Sequence, residues 1–93
     1  MISTDFSAEF NFDYKSLIKT SPDLKELILT KIVQFCRNFE DERLNNHALR
    51  KPMEGKWSFS ITNDVRIVYL WTGKNNVRFL AIGGHGKVYG KKS

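Results

Sequence analysis

Residues 57–82, WSFSITNDVRIVYLWTGKNNVRFLAI, contain three strand-like runs separated by two short turns. In the first run, large apolar residues alternate with serine and threonine, which is typical of a strand with one buried face. The second run, residues 65–71, is apolar at nearly every position except Arg66, as expected for a central strand covered on both faces. The third run is residues 77–82. The stretch therefore predicts three consecutive strands.

The residues before this stretch predict a short strand and two helices. Residues 2–6 alternate apolar and polar side chains, and Ser7 then offers an N-cap for a helix that ends near Thr20. Ser21 is expected to cap the second helix, because Pro22 suits a first helical position. The apolar residues of that helix recur at steps of three and four: Leu24, Leu27, Ile28, Ile32, Phe35, Cys36 and Phe39. The element order is thus β-α-α-β-β-β.

The composition is that of a small folded protein. Of the 93 residues, 41% are hydrophobic and 13% are aromatic, which is enough for one modest core. We therefore expect residues 1–93 to form a single domain, with the helix hairpin packed against the strands.

The charge is positive and unevenly distributed. Lys and Arg number 15 against 10 Asp and Glu, a net charge of +5 that favours polyanionic partners such as nucleic acid. A basic protein with no such partner would show the same balance. After residue 49 only Glu54 and Asp64 oppose a run of cations: Arg50, Lys51, Lys56, Arg66, Lys74, Arg78, Lys87, Lys91 and Lys92.

Several classes of protein are disfavoured by what the sequence lacks. Cys36 is a lone cysteine within an apolar helical stripe, so we expect a small buried hydrophobe and neither a disulfide nor a nucleophile. His47, His85 and Cys36 fall at no spacing typical of a zinc site, and we expect no metal and no cofactor. No signal-like segment or membrane-spanning stretch is seen, so the cytoplasm is the expected location, with no membrane partner.

The end of the sequence combines glycine with side chains suited to chemistry. Residues 82–89, IGGHGKVY, place His85 on a glycine-rich turn, near Lys87 and Tyr89. Glycine lets the backbone approach a ligand closely, and histidine gains or loses a proton near neutral pH. The stretch therefore suits catalysis or anion contact. The alternative is a simple turn after which Val88 and Tyr89 fill the core.

Four segments with their spacing carry a family resemblance: His47-Ala48-Leu49, Gly55-Lys56-Trp57-Ser58, Asp64-Val65-Arg66-Ile67-Val68-Tyr69, and Ile82-Gly83-Gly84-His85 with Val88-Tyr89. Taken together they resemble the RelE/YafQ/ParE superfamily of bacterial toxins from type II toxin–antitoxin systems, and most closely its YafQ and RelE branches. The resemblance covers the whole chain in element order and residues 47–89 in motif.

The resemblance implies both a fold and an activity. It implies an α+β fold in which a two-helix hairpin packs on a twisted, mostly antiparallel four-stranded sheet. Many members are metal-independent endoribonucleases that cleave mRNA in the ribosomal A site, and a cognate antitoxin neutralises them. The implied partners are therefore the antitoxin, mRNA and the ribosome.

The resemblance also implies roles for individual residues. His47, Asp64 and His85 match positions used for acid–base work, Tyr89 matches a C-terminal aromatic residue, and Arg66 matches an arginine that contacts the scissile phosphate. The chain departs from the pattern in three places. Related nucleases carry His or Lys in place of Ser60, and bulkier polar residues in place of Gly84 and Gly86.

The chemistry of RNA cleavage supports the same residues. Without a metal, cleavage needs a base for the ribose 2′-OH, a cation for the charged phosphorane and an acid for the 5′-oxygen. His47 or Asp64 could be the base and His85 the acid, while Tyr89 could orient the 2′-OH or stack on a base. The cation and further phosphate contacts could come from Arg66, Lys56, Lys87 and Arg78.

Other readings of these residues stay open at this point. His47 could cap a loop, Asp64 is a common turn residue, and Arg66 could form an ion pair with Asp64. The main rival function is that of the ParE branch, whose members bind DNA gyrase without cleaving RNA and do not need the His/Asp/His set. A third possibility is a degenerate homologue that only binds an antitoxin.

Overall fold

A computed structural model describes residues 1–51 and 53–84. Two helices and five strands follow one another as β1 (Ser3–Phe6), α1 (Ala8–Thr20), α2 (Leu24–Arg37), β2 (His47–Ala48), β3 (Trp57–Ser60), β4 (Val65–Gly73) and β5 (Asn76–Gly84). A short 3₁₀ turn at Glu42–Leu44 precedes β2. Within these residues, neither helix combines the length and the apolar sequence that crossing a bilayer requires.

The strands form one sheet in the order β1-β5-β4-β3-β2. β1 runs parallel to β5, and every other neighbouring pair is antiparallel. The α+β class and the mostly antiparallel sheet are confirmed. The predicted count of four strands was wrong, because β2 adds a fifth by pairing His47 with Ser58 and Ala48 with Trp57. Two residues are too few to show the alternation from which a strand is predicted.

Local hydrogen bonds explain where the helices begin. Ser7 caps α1 as predicted, since its hydroxyl accepts from the backbone N–H of Phe10 at 3.0 Å. The predicted start of α2 was wrong. The backbone N–H of Leu24 bonds to the carbonyl of Ser21 at 3.0 Å, which makes residues 21–24 a turn. α2 therefore begins at Leu24, and Ser21 instead ends α1 by donating its N–H to Leu17.

The core lies between the helices and one face of the sheet, which we call the helix face. Aromatic rings dominate this core: Phe35 of α2 stacks on Phe59 at 4.4 Å between centroids and meets Tyr69 edge-on at 4.9 Å. Phe79 adds a further ring at 5.9 Å from Phe35. All four side chains are fully buried. This packing fixes the sheet and thereby positions the residues on its other side.

The other side, which we call the open face, is covered by few of the residues that the structure describes. Side chains alternate between the two faces of a strand, so the open face carries the positions between those of the aromatic core. Among the described residues, a small apolar cluster lies there, formed by Val68 and Ala81 under Leu49 and Met53. Beside it are residues with polar side chains or none: His47, Ser58, Ser60, Arg66 and Gly83.

Candidate functional site

Strand register arranges the open face in two cross-strand rows. In one row Ser60 pairs with Arg66, and Arg66 pairs with Gly83. In the next row His47, Ser58, Val68 and Ala81 follow one another across four strands. His47 and Arg66 therefore share the open face. Because adjacent strands lie about 4.8 Å apart, these two residues are separated by roughly 10 Å across the sheet.

Arg66 lies at the centre of its row and is only partly satisfied. Its Nη1 donates to the hydroxyl of Ser60 at 3.0 Å, and its Nη2 donates to the carbonyl of Asn63 at 3.3 Å. Its Nε is buried and has no hydrogen-bond partner among the described residues. A guanidinium has five N–H donors, so this one retains donors for an anion. A free buried donor costs energy unless a ligand meets it.

The alternative ion pair between Arg66 and Asp64 is not formed. In the part of the chain that the structure describes, the ion pairs are those of Arg43 with Asp41 and of Arg78 with Asp5. Arg66 is instead held by neutral oxygens, from a hydroxyl and a carbonyl. Neutral partners orient the guanidinium without cancelling its charge. The site therefore keeps a full positive charge on the sheet.

Ser60 is the hydroxyl that orients Arg66. Its side chain lies directly across from Arg66 in the β3–β4 register, and both are half-buried. In sequence this serine marked only a departure from related nucleases. Its contact adds a second feature, because its hydroxyl accepts a hydrogen bond from Arg66 without adding charge.

Asp64 lies at the turn before β4, against the end of β5. Its backbone N–H donates to the hydroxyl of Thr62 at 3.2 Å. A Cβ placed on Gly84 would come within 3.2 Å of the Asp64 carboxylate. Glycine at position 84 thus allows the carboxylate to approach the β5 backbone closely. A bulkier residue at position 84 would require the Asp64 carboxylate to shift.

His47 is exposed on β2, and its ring is held by the turn before it. Its Nδ1 lies 2.9 Å from the carbonyl oxygen of Asn45. Asn45 adopts a left-handed conformation with φ of 51°, which asparagine tolerates better than most residues. The next residue, Asn46, accepts a hydrogen bond of 2.6 Å from the hydroxyl of Tyr69. His47 is therefore exposed but well positioned.

The two other predicted cations among the described residues lie apart from Arg66. Arg78 on β5 donates from Nε and Nη2 to Asp5 of β1, at 3.1 and 2.7 Å. The same contact lowers the pKa of Asp5, chiefly through its hydrogen bond with Arg78. Lys56 is half-buried and directly precedes β3. Of these two, Arg78 already has a counter-charge.

The remaining predicted site residues, His85, Lys87 and Tyr89, lie outside the described residues. The last described residue of β5, Gly84, lies next to Asp64. The described residues contain no group of three or more His, Cys, Asp or Glu that could hold a metal ion.

Among known proteins, the chain is similar in structure to several solved bacterial toxins. No protein-family model matches the sequence, and no curated protein matches it. YafQ from E. coli strain BL21(DE3) superposes with a TM-score of 0.78 at 18% identity, over 96% of this chain and 99% of that one. A YoeB/ParE toxin from Agrobacterium tumefaciens gives 0.76 at 22% identity, over 90% and 99%. YafQ in the E. coli DinJ–YafQ complex gives 0.77 at 19%, over 96% and 99%.

The chain has the fold of these toxins. The resemblance to the RelE/YafQ/ParE superfamily, first drawn from four segments, is thus confirmed at the level of the fold. The toxin fold accounts for the arrangement of the site as well. Its helix hairpin covers one side of the sheet and leaves Arg66, Asp64 and His47 at the opposite face or its edge.

Three residues near the site were missed as functional candidates: Asn45, Asn46 and Tyr69. Tyr69 is part of a quoted motif, but its apolar neighbours indicate only a core residue. Asn45 and Asn46 lie in a polar connection where asparagine is common. No local pattern connects residues 46 and 69, so their hydrogen bond is visible only in the folded chain.

Proposed function

We propose that this chain is the toxin of a type II toxin–antitoxin system and that it cleaves mRNA. The observation that carries the proposal is the environment of Arg66. Its guanidinium lies on the open face, keeps its charge, and has a buried Nε without a partner among the described residues. A phosphate suits such a group, because two of its oxygens can accept paired N–H bonds from a guanidinium.

The proposed reaction is an internal transfer at phosphorus. A base removes the proton of the ribose 2′-OH, and the 2′-oxygen attacks the adjacent phosphorus. The bond from phosphorus to the 5′-oxygen breaks, and an acid gives that oxygen a proton. The products are a 2′,3′-cyclic phosphate and a 5′-OH, with no metal and no cofactor required.

The residues divide these tasks by position. Arg66 stabilises the charge that gathers on the phosphorane. His47 or Asp64 acts as base: Asp64 is two residues from Arg66, and His47 is two strands away on the same face. We assign His85 as acid and Tyr89 to orienting the 2′-OH or stacking on a base, on the resemblance and on their chemistry. Lys56, Lys87 and Arg78 are proposed to contact phosphates further along the RNA.

We also propose a cognate antitoxin, an action in the cytoplasm, and mRNA in the ribosomal A site as substrate. YafQ of E. coli, which has the same fold, is found in a complex described as the DinJ–YafQ toxin–antitoxin complex. That complex supports a protein partner for this chain. The net charge of +5 suits the ribosome, whose surface is rich in phosphate.

Induced expression in a bacterial host without a partner tests the proposal. Translation should stop, and primer extension should map new 5′ ends within open reading frames. Intact transcripts together with a DNA-damage response would instead indicate gyrase as target. Normal growth with a soluble, folded chain would contradict both toxin functions and leave antitoxin binding alone.

A further inference from the structure

The shortest strand of the sheet carries one of the proposed catalytic groups. β2 has two residues, and its pairing consists of two residue pairs plus one flanking hydrogen bond, from the Leu49 N–H to the Lys56 carbonyl at 2.9 Å. A slip of one residue in a strand moves every side chain to the other face. Such a slip would turn His47 toward the helix face. So short a ladder needs an additional restraint to prevent it.

Tyr69 supplies a fixed point close to β2. Its side chain is fully buried and is surrounded by four aromatic rings, with centroids 4.9 to 6.3 Å away: Phe35, Phe59, Trp71 and Phe79. Its hydroxyl donates to Oδ1 of Asn46 at 2.6 Å. Burial raises the pKa of Tyr69, so the phenol keeps its proton and remains a donor.

The orientation of Asn46 determines the face to which the next residue, His47, points. Asn46 directly precedes β2, and its side chain is bonded to Tyr69 of the helix-face core. Consecutive residues in an extended segment point to opposite sides. When Asn46 faces the core, His47 must face away from it, toward the open face.

The Asn45 carbonyl then determines which ring nitrogen of His47 bears the proton. A carbonyl oxygen only accepts hydrogen bonds, so Nδ1 at 2.9 Å is the donor. In the neutral ring this leaves Nε2 with a free lone pair. A general base needs that lone pair on the side where the substrate binds.

We propose that Tyr69 and Asn46 form an anchor that fixes the register of β2, and that the Asn45 carbonyl fixes His47 as the Nδ1–H tautomer, with Nε2 as the basic atom. Tyr69 and Asn46 are positioning residues that act through His47. The inference rests on the proposed function only in naming RNA as the substrate of that base. Ring tautomer and strand register can be measured without RNA.

The chain has two histidines, so His85→Gln leaves His47 as the sole imidazole. Long-range proton–nitrogen NMR correlations of this variant, at a pH where the ring is neutral, distinguish a protonated Nδ1 from a protonated Nε2. We expect Nδ1–H. Adding Tyr69→Phe, which removes only the hydroxyl, should give a mixture of tautomers and faster amide exchange in residues 47–49. The control Tyr14→Phe removes a hydroxyl on α1, on the other side of the sheet, and should change neither.

The activity arm uses the chain with His85 intact and ribosome-bound mRNA as the probe. Tyr69→Phe and Asn46→Ala should each slow single-turnover cleavage by about tenfold to a hundredfold, the range seen when a partner that orients a metal-binding histidine is removed. The double variant should be no slower than the slower single variant, because both changes break one hydrogen bond. Tyr14→Phe should cleave at the original rate.

The outcomes separate this inference from the proposed function. The inference is overturned if His47 carries its proton on Nε2, or is a mixture of tautomers, in the His85→Gln variant with Tyr69 and Asn46 intact. That holds whether or not RNA is cleaved. An Nδ1–H ring that survives both Tyr69→Phe and Asn46→Ala overturns the anchor. A tautomer that depends on the anchor, in a chain that cleaves no RNA, supports the inference and contradicts the proposed function.

Discussion

The two faces of the sheet differ in how much of the sequence they depend on. The helix face buries a continuous cluster of rings and aliphatic side chains contributed by both helices and by β3, β4 and β5. In the described part of the chain, the open face carries one small apolar cluster and a few polar residues around Arg66. Many residues share the work of stabilising the fold. Within residues 1–51 and 53–84, few residues of the open face carry side chains suited to chemistry.

This difference separates stability from function along individual strands. On β4, Ile67 and Tyr69 belong to the helix face, while Arg66 and Val68 belong to the open face. Neighbouring residues should therefore give opposite results when changed. A change on the helix face should remove folding and activity together, and a change at Arg66 should remove activity alone.

The largest expected effect is on the helix face, at Phe35. Phe35→Ala removes the ring that contacts Phe59, Tyr69 and Phe79. Such truncations cost about 3–5 kcal/mol, against total stabilities of about 5–15 kcal/mol for domains. Chemical denaturation should show the loss. Phe12→Ala, at a side chain 70% exposed, is the matched control and should change the free energy of unfolding by less than about 0.5 kcal/mol.

The next effect concerns the proposed acid, His85. General acid–base groups contribute roughly a hundredfold to ten-thousandfold, so His85→Gln should abolish growth arrest. Its thermal unfolding and its binding to the antitoxin should stay near normal. A folded His85→Gln chain that cleaves mRNA at the original rate would show that another group is the acid.

Arg66→Ala should reduce the rate of RNA cleavage and leave the packing of the helix face unchanged. Loss of one charge-stabilising group typically costs about a hundredfold to a thousandfold in rate. Arg66→Lys should recover only part of it, because an ammonium cannot bond two phosphate oxygens in a fixed fork. Arg37→Ala, at an exposed arginine in the last turn of α2, is the control and should cleave normally. Equal losses from Arg66→Ala and Arg37→Ala would indicate a general charge effect.

The sequence predicted the helix face better than the open face, for physical reasons. α2 and β4 were identified because burial imposes a period on apolar residues, and that period is local. The start of α2 was misplaced, since Ser21 and Pro22 suit a turn as well as a helix start. β2 was missed because its two residues leave no pattern.

For the candidate site, the roles of the residues stay predictions, and what can be compared is their placement. Arg66, Asp64 and His47 were identified from motif spacing, and the register places Arg66 and His47 on one face. The role of Ser60 as partner of Arg66, and the bond between Tyr69 and Asn46, were not predicted. Both contacts join residues on different strands or across a loop. Their geometry depends on register, which a sequence pattern does not contain.

Ser60→Ala should reduce the cleavage rate less than Arg66→Ala does. It removes the hydroxyl that accepts from Nη1 of Arg66 at 3.0 Å and leaves the guanidinium in place. The hydrogen bond is worth about 0.5–1.5 kcal/mol, so cleavage should slow by about tenfold or less, with little change in stability. Ser16→Ala, at a helical serine on the other side of the sheet, is the control for both measurements. A loss as large as that of Arg66→Ala would mean that Ser60 itself contacts the substrate.

The smallest effect is expected at Arg78, where the structure supplies a counter-charge. Its guanidinium donates twice to Asp5 on the exposed side of β1, so it has less charge to offer RNA than Arg66 has. Arg78→Ala should therefore weaken RNA binding only slightly, and mainly at low salt.

The same pair makes a prediction about pH. Arg78 lowers the pKa of Asp5 below its ordinary value of 3.8 in the folded chain. A carboxyl with a depressed folded pKa stabilises the fold above its unfolded pKa, and that contribution is lost as pH falls through the folded value. Wild type should thus exceed Asp5→Asn in stability at pH 7, by a small margin because the pair is exposed. The margin should begin to fall as pH drops below the ordinary pKa and should vanish only below the folded value. A margin that is constant from pH 7 to pH 2 would show that Asp5 acts through the hydrogen bond to the N–H of Phe6 in both protonation states, and not through the charge of Arg78.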